Sequence, residues 1–247
     1  IEVHTGVSIG RDISFAEIEN QYDAVYISIG AHNDKKIGIP GEDAVGVHSA
    51  VQLLRDIGEG RVPDFKGKRV CVIGGGNVSM DATRTAIRLG ASAVTCVYRR
   101  RVTDMTALAE EIEEAQSEGC QILSLQAPDH IETDETGRVT ALWTRPQVIG
   151  AYGKDGRPRP YDADQPLLRT PCDVVIVAIG QSIDAKPFEQ IVQLFAFHRH
   201  PTIRPSLIVI VRSARAARLS SCVTMTTVQP KSRLTVSISS RISFDVW

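Results

Sequence analysis

Three consecutive glycines, Gly74, Gly75 and Gly76, and three consecutive arginines, Arg99, Arg100 and Arg101, are the residues whose types and spacing could do chemistry in this chain. The chemistry they suggest is recognition of phosphate. Gly74 permits a tight turn, and Gly76 has no Cβ, so a pyrophosphate can approach the backbone. Ser79 takes the third small position, where its short side chain still allows close helix–strand packing. Asn77, Val78, Ser79 and Asp81 open the following segment. A helix beginning there would present free N–H groups and a positive dipole end to phosphates. The arginines stand where an NAD-binding unit places an acid for the ribose 2′-hydroxyl. A carboxylate would repel a 2′-phosphate, whereas a guanidinium can grip one with two hydrogen bonds. The set reads as an NADP site with Arg99 and Arg100 as the contacts. A glycine turn that serves packing alone and a solvated basic edge are the two bland alternatives.

These residues need a strand, a turn, a helix and a second strand to hold them. The apolar run Val70, Cys71, Val72, Ile73 predicts a buried parallel strand. Residues 77–89 have helical character, with Met80, Ala82, Ala86, Ile87 and Leu89 available for packing, and Gly90 is placed to end the helix. A second β-rich run covers residues 94–98. Strand, glycine turn, helix and strand within about 30 residues make a βαβ dinucleotide-binding unit.

The same residues carry a resemblance. GGGNVSMDATRTAIRLGA at 74–91, followed by VYRRR, resembles the small subunit of glutamate synthase and its relatives. Two further stretches match in the same order, YDAVYISIGAHNDKKIGIPGED at 22–43 and CDVVIVAIGQSID at 172–184. The resemblance covers about residues 2–190. It implies FAD-dependent, NAD(P)H-oxidising chemistry on nucleotide domains of the pyridine nucleotide-disulfide oxidoreductase type. Hydride would pass from NADPH to FAD, and electrons would go on to a partner subunit or an iron–sulfur protein. The cofactor does that chemistry, so no catalytic acid, base or nucleophile is assigned. The resemblance also implies that the strand ending at Gly30 and Ala31 closes over the flavin, and that Gly180 ends a strand beside a cofactor. DAVYISIG and DVVIVAIG echo each other, which suggests two related nucleotide domains. Thr106 replaces a proline common in the family, which leaves the turn after the arginines open.

Other segments are expected to be scaffold. Ser14 and Glu17 form a capping box for a short helix at 14–19, preceded by strand-like residues at Val3 and 7–9. Residues 49–57 read as an amphipathic helix. Residues 107–118 read as a charged one whose Glu110, Glu111, Glu113 and Glu114 are solvated. Residues 122–125, 129–133 and 138–145 predict a strand meander, and 152–168 an exposed polar excursion. With 23% charged residues and a net charge of −1, the chain has no bulk attraction for nucleic acid. It has no apolar run long enough to span a membrane. Its five cysteines include no CxxC pair, so no metal site is expected and reduced thiols in a cytoplasmic protein are.

The pattern breaks near Ile191. All 19 glycines precede it, and beyond it eight basic residues accompany a single acid, Asp245. The family's Gly-Asp segment, its first glycine motif and its cysteine-rich region are absent. The chain is therefore expected to be a fragment with a frameshifted or mis-assembled C-terminus, a basic interaction tail being the alternative. The apolar run 207–211 could be a strand but has no evident partner. The expected fold is α/β. It comprises part of an FAD-binding domain (1–48), a Rossmann-like NAD(P)-binding domain with a parallel sheet (49–183), and an atypical tail (184–247). The other functional class open to the sequence is a dinucleotide-binding module, or inactive fragment, without turnover.

Overall fold

The computed structural model describes residues 2–22, 24–153 and 156–183, and the backbone of strands 209–212, 234–238 and 242–246. His198, Arg199, His200 and Cys222 lie outside the described residues. The chain divides into two units, residues 1–27 with 209–247, and residues 28–208.

In the first unit, helix α1 (Phe15–Gln21) begins as its sequence dictates. The Ser14 hydroxyl accepts from the Glu17 amide at 3.2 Å, and Glu17 returns the contact to the Ser14 amide at 2.8 Å. The strand expected at 7–9 does not form. Gly6 and Gly10 adopt positive φ, and the amides of Arg11 and Asp12 turn back onto the Ser8 carbonyl. Strand β1 (Ala24–Ile27) pairs antiparallel with Val209–Arg212. The apolar run near 207–211 therefore has a partner that local sequence could not reveal, because it lies far away in the chain. Leu234–Ile238 and Ile242–Val246 pair with each other.

The second unit is built on a five-stranded parallel sheet. Its elements are β2 (Asn33–Asp34), β3 (Val47–Ser49), α2 (Ala50–Gly58), β4 (Arg69–Ile73), α3 (Asn77–Arg88), β5 (Ala93–Tyr98), α4 (Ala109–Ser117) and β6 (Gln121–Ser124). After these come β7 (Gln126–Thr133), β8 (Val139–Tyr152), β9 (Pro158–Asp162), β10 (Leu168–Pro171), β11 (Val174–Val177) and β12 (Gln181–Ser182). The sheet order is β3-β11-β4-β5-β6. β6, expected as the first strand of the meander, instead runs parallel to β5 as the sheet edge. The chain leaves that sheet at Leu125, whose φ of 57° is rare for a side-chain-bearing residue. The Leu125 amide donates to the Arg100 carbonyl, which anchors the arginine segment to the turn.

β4 shows why the sheet is covered on both faces. Val70 and Val72 point to one face, packing with Ala82 and Ala86 of α3 and Leu53 of α2. Cys71 and Ile73 point to the other, against Ile131, Val139 and Leu142 of β7 and β8. The two-residue period of a strand produces this split, and continuous apolar runs follow from it. Each buried Val, Ile or Leu among them contributes on the order of 1.5–3 kcal/mol. Residues 37–47 supply Ile37, Ile39, Ala44 and Val47 to the second face.

Within the excursion expected at 152–168 a strand forms, β9. β8 continues to Tyr152 and pairs with β9 as a hairpin, which returns Arg157 and Pro158 toward the end of β5. Among the described residues, no helix is long and apolar enough to cross a membrane.

Candidate functional site

The site forms where the sheet order reverses. From β4 the chain moves outward to β5, while β11 lies on the other side of β4. Open parallel sheets leave a crevice outside the carboxyl ends of the strands at such a point. Here a cavity of about 520 Å³ lies there. The turn after β4 and residues 177–181 after β11 line it, with Arg99, Arg100 and Arg157 also in its wall.

Each glycine of the turn has its own reason. Gly74 sits at φ 150°, and a Cβ there would lie 2.3 Å from the Ala178 carbonyl oxygen. Gly75 faces the Tyr98 ring, which a Cβ would meet at 2.5 Å. Packing by the protein itself therefore accounts for these two. Gly76 is different, because a Cβ would meet only the Thr106 hydroxyl, at 3.3 Å, while the residue lines the cavity. Gly76 is also the N-cap of α3, and no side chain caps the helix. The first amides of α3 thus begin at the cavity wall with no side-chain acceptor.

The turn after the arginines docks on the glycines. The amides of Thr106 and Ala107 both donate to the Gly75 carbonyl, at 2.8 and 3.1 Å. A proline at 106 could not make the first of these bonds, so threonine adds a tether here.

The three arginines do three different things. Arg99 is exposed and lines the cavity. Arg100 is 7% exposed, and its Nε donates to the Pro158 carbonyl at 2.7 Å. Arg101 is clamped to the Asp104 carboxylate by Nε and Nη2, and that pairing holds Asp104 below the usual carboxylate range.

Of the residues predicted from sequence, the cavity brings together Gly74, Gly75, Gly76, Asn77, Val78, Arg99, Arg100 and Gly180. Ser79 is fully buried beneath it, 3.8 Å from the Cys96 sulfur. Asp81 is exposed on α3 and does not line the cavity. Gly30 and Ala31 also lie outside the lining. Sequence reasoning missed Tyr98, Thr106 and Arg157, whose placement depends on contacts distant in the chain. Cys96 donates to the Gly74 carbonyl at 3.3 Å, and burial pushes its thiol up to about 12. It is a packed thiol and not a nucleophile.

A dinucleotide fits this donor set. A glycine cradle and an uncapped helix N-terminus suit a pyrophosphate, and guanidinium groups stand farther along the wall.

The comparisons agree with this geometry. Residues 7–196 match the family described as pyridine nucleotide-disulphide oxidoreductase. The chain is 38% identical over 200 residues to the putative oxidoreductase UacF of Escherichia coli, covering 77% of this chain and 31% of that one. It is 36% identical over 190 residues to the glutamate synthase [NADPH] small chain of Halomonas elongata, covering 73% and 40%. The chain therefore spans well under half the length of either relative. The structure of Mycobacterium tuberculosis FprA in complex with NADPH is similar in fold, with a TM-score of 0.60 at 20% identity over 71% of this chain and 54% of that one. With its family model covering most of its length and its cavity at the switch point of a parallel sheet, the chain belongs to the pyridine nucleotide-disulphide oxidoreductase family.

Proposed function

We infer that this chain is the NADP-binding part of an FAD-dependent NADPH oxidoreductase similar to the glutamate synthase small chain. The observation that carries the reading is the single cavity wall that holds the open end of α3 and, farther along, Arg99. The first suits a pyrophosphate and the second a 2′-phosphate. When bound, the nicotinamide supplies a hydride and the flavin accepts it. The chain's own residues bind and orient. Gly76, Asn77 and Val78 present the helix end, and Gly180 closes the opposite strand end. Tyr98 covers Gly75.

In this reading residues 1–48 are part of a flavin-binding domain, and residues 49–183 are the nucleotide-binding domain. The stretch 28–48 packs on the latter. Residues 184–247 are the atypical tail. Among the described residues, the strand end at Gly30 and Ala31 is the part assigned to the flavin site. The electron acceptor is a partner subunit or an iron–sulfur protein, consistent with a relative named as a small chain. The four described cysteines are free thiols, which suits a cytoplasmic setting.

Arg99→Ala tests the cofactor assignment. A charged hydrogen bond contributes roughly 1.5–3 kcal/mol, so NADPH affinity should fall about tenfold or more. NADH affinity should change little, and the gap should shrink at high salt. Dissociation constants for both nucleotides decide it, and a parent chain that prefers NADH would overturn the NADP reading. A second reading is a nucleotide-binding module without turnover, since the cavity lining consists of residues that would bind and orient a nucleotide. A yellow purified chain that NADPH bleaches supports the enzyme. A colourless chain that binds NADPH supports the module.

A further inference from the structure

Arg157 reaches the cavity from a different part of the fold than the arginine cluster does. It precedes β9, on the hairpin that β8 and β9 form over the end of β5. Its Nη2 donates to the Tyr98 hydroxyl at 2.6 Å and to the Asp104 carbonyl at 3.1 Å. The Tyr98 hydroxyl in turn donates to the same carbonyl at 2.8 Å. These contacts hold a half-buried guanidinium in the wall that Arg99 also lines. The next residue, Pro158, accepts from Arg100. Two neighbouring residues of the hairpin are thus tied to the segment after β5 by two arginines working in opposite directions. Arg101 meanwhile is taken by the Asp104 carboxylate.

We propose that Arg157 is a specificity-determining residue of the same site. It joins Arg99 in a composite clamp on the 2′-phosphate, and Arg100 is a positioning residue that keeps the hairpin, and so Arg157, in place through Pro158. A guanidinium already fixed by hydroxyl and carbonyl oxygens loses little freedom when it meets a phosphate, which favours affinity. The proposal rests on the NADP reading above.

The test uses the full chain and two probes that differ at the 2′-phosphate, 2′,5′-ADP and 5′-AMP, titrated calorimetrically. Arg157→Ala should weaken 2′,5′-ADP about tenfold or more and leave 5′-AMP within about twofold, since the lost contact is with a charged group. Arg157→Lys keeps the charge without the fork and should retain part of the discrimination, which also guards against a folding failure in the alanine variant. Arg100→Ala should give the same selective loss. The double variant should lose no more than the larger single loss, because the two residues act through one hairpin. Equal losses for both probes in Arg157→Lys, or none in Arg157→Ala, would overturn the proposal while Arg99→Ala remained selective. A parent chain that binds the two probes equally would overturn the NADP reading and this proposal together.

Discussion

Gly74 and Gly76 stand two residues apart in one turn, yet their surroundings differ. Gly74 presses on the backbone carbonyl of Ala178, just after β11, in a conformation that L side chains rarely adopt. Gly74→Ala should therefore damage the fold. Overpacking costs about 1–3 kcal/mol, and for a chain of this size that lowers Tm by roughly 3–10 °C. Gly76 is less confined, since its missing Cβ would meet only the Thr106 hydroxyl, at 3.3 Å, and that side chain would have to shift slightly. Gly76→Val should leave Tm nearly unchanged and weaken NADPH about tenfold or more, by filling the space before α3. Thermal melts and titrations of both variants separate the roles. If Gly76→Val binds normally, the phosphate role of that position is wrong.

At the scale of elements, Glu132 ties three antiparallel strands to one another. Its carboxylate accepts from Arg169 at 2.6 and 2.9 Å, from the Trp143 indole at 2.7 Å and from the Thr140 hydroxyl at 2.9 Å. It thereby connects β7, β8 and β10. These donors, Arg169 foremost, hold the carboxyl down to about 2, against an ordinary value of 4.5. The group is depressed on folding, so its contribution is complete above pH 4.5 and fades as pH falls toward 2. Glu132→Gln should flatten that limb of the stability curve. Urea midpoints at pH 7 and pH 3 check this, and an unchanged drop between them would remove Glu132 from the acid response. Asp129 and Asp173 are depressed as well, by His130 and Arg145 in one case and Arg69 in the other, so the variant should retain some acid sensitivity.

For the whole molecule, the cavity draws only on residues between Ile37 and Gln181. All of them belong to the unit that spans residues 28–208. Deleting residues 209–247 should therefore leave NADPH affinity within about twofold, as expected for sites without shared partners. A larger loss would show that the distal strands support the cavity. The pairing of Val209–Arg212 with β1 makes the deletion informative in a second way. Protease resistance of residues 2–27 should fall when their paired strand is removed.

The sequence by itself determined the βαβ unit. Val70–Ile73, the glycines, the α3 periodicity and Gly90 are neighbours along the chain, and their meaning lies in local spacing. The Ser14–Glu17 box and the amphipathic helix near 49–57 were readable for the same reason. Only the tertiary structure decided which residues share the cavity wall. Arg100, read from sequence as a contact beside Arg99, donates to a carbonyl of β9, and Arg101 is held by a carboxylate of the following turn. Arg157 carries no local signal at all, because its place in the wall follows from bonds to Tyr98 and Asp104, which lie far away in the chain. β6 likewise left the expected meander because pairing with β5, set by the return of the chain through α4, outweighed its neighbourhood in sequence. Short-range periodicity is written in the chain, whereas the partners of a guanidinium or a strand edge are chosen only when distant segments meet.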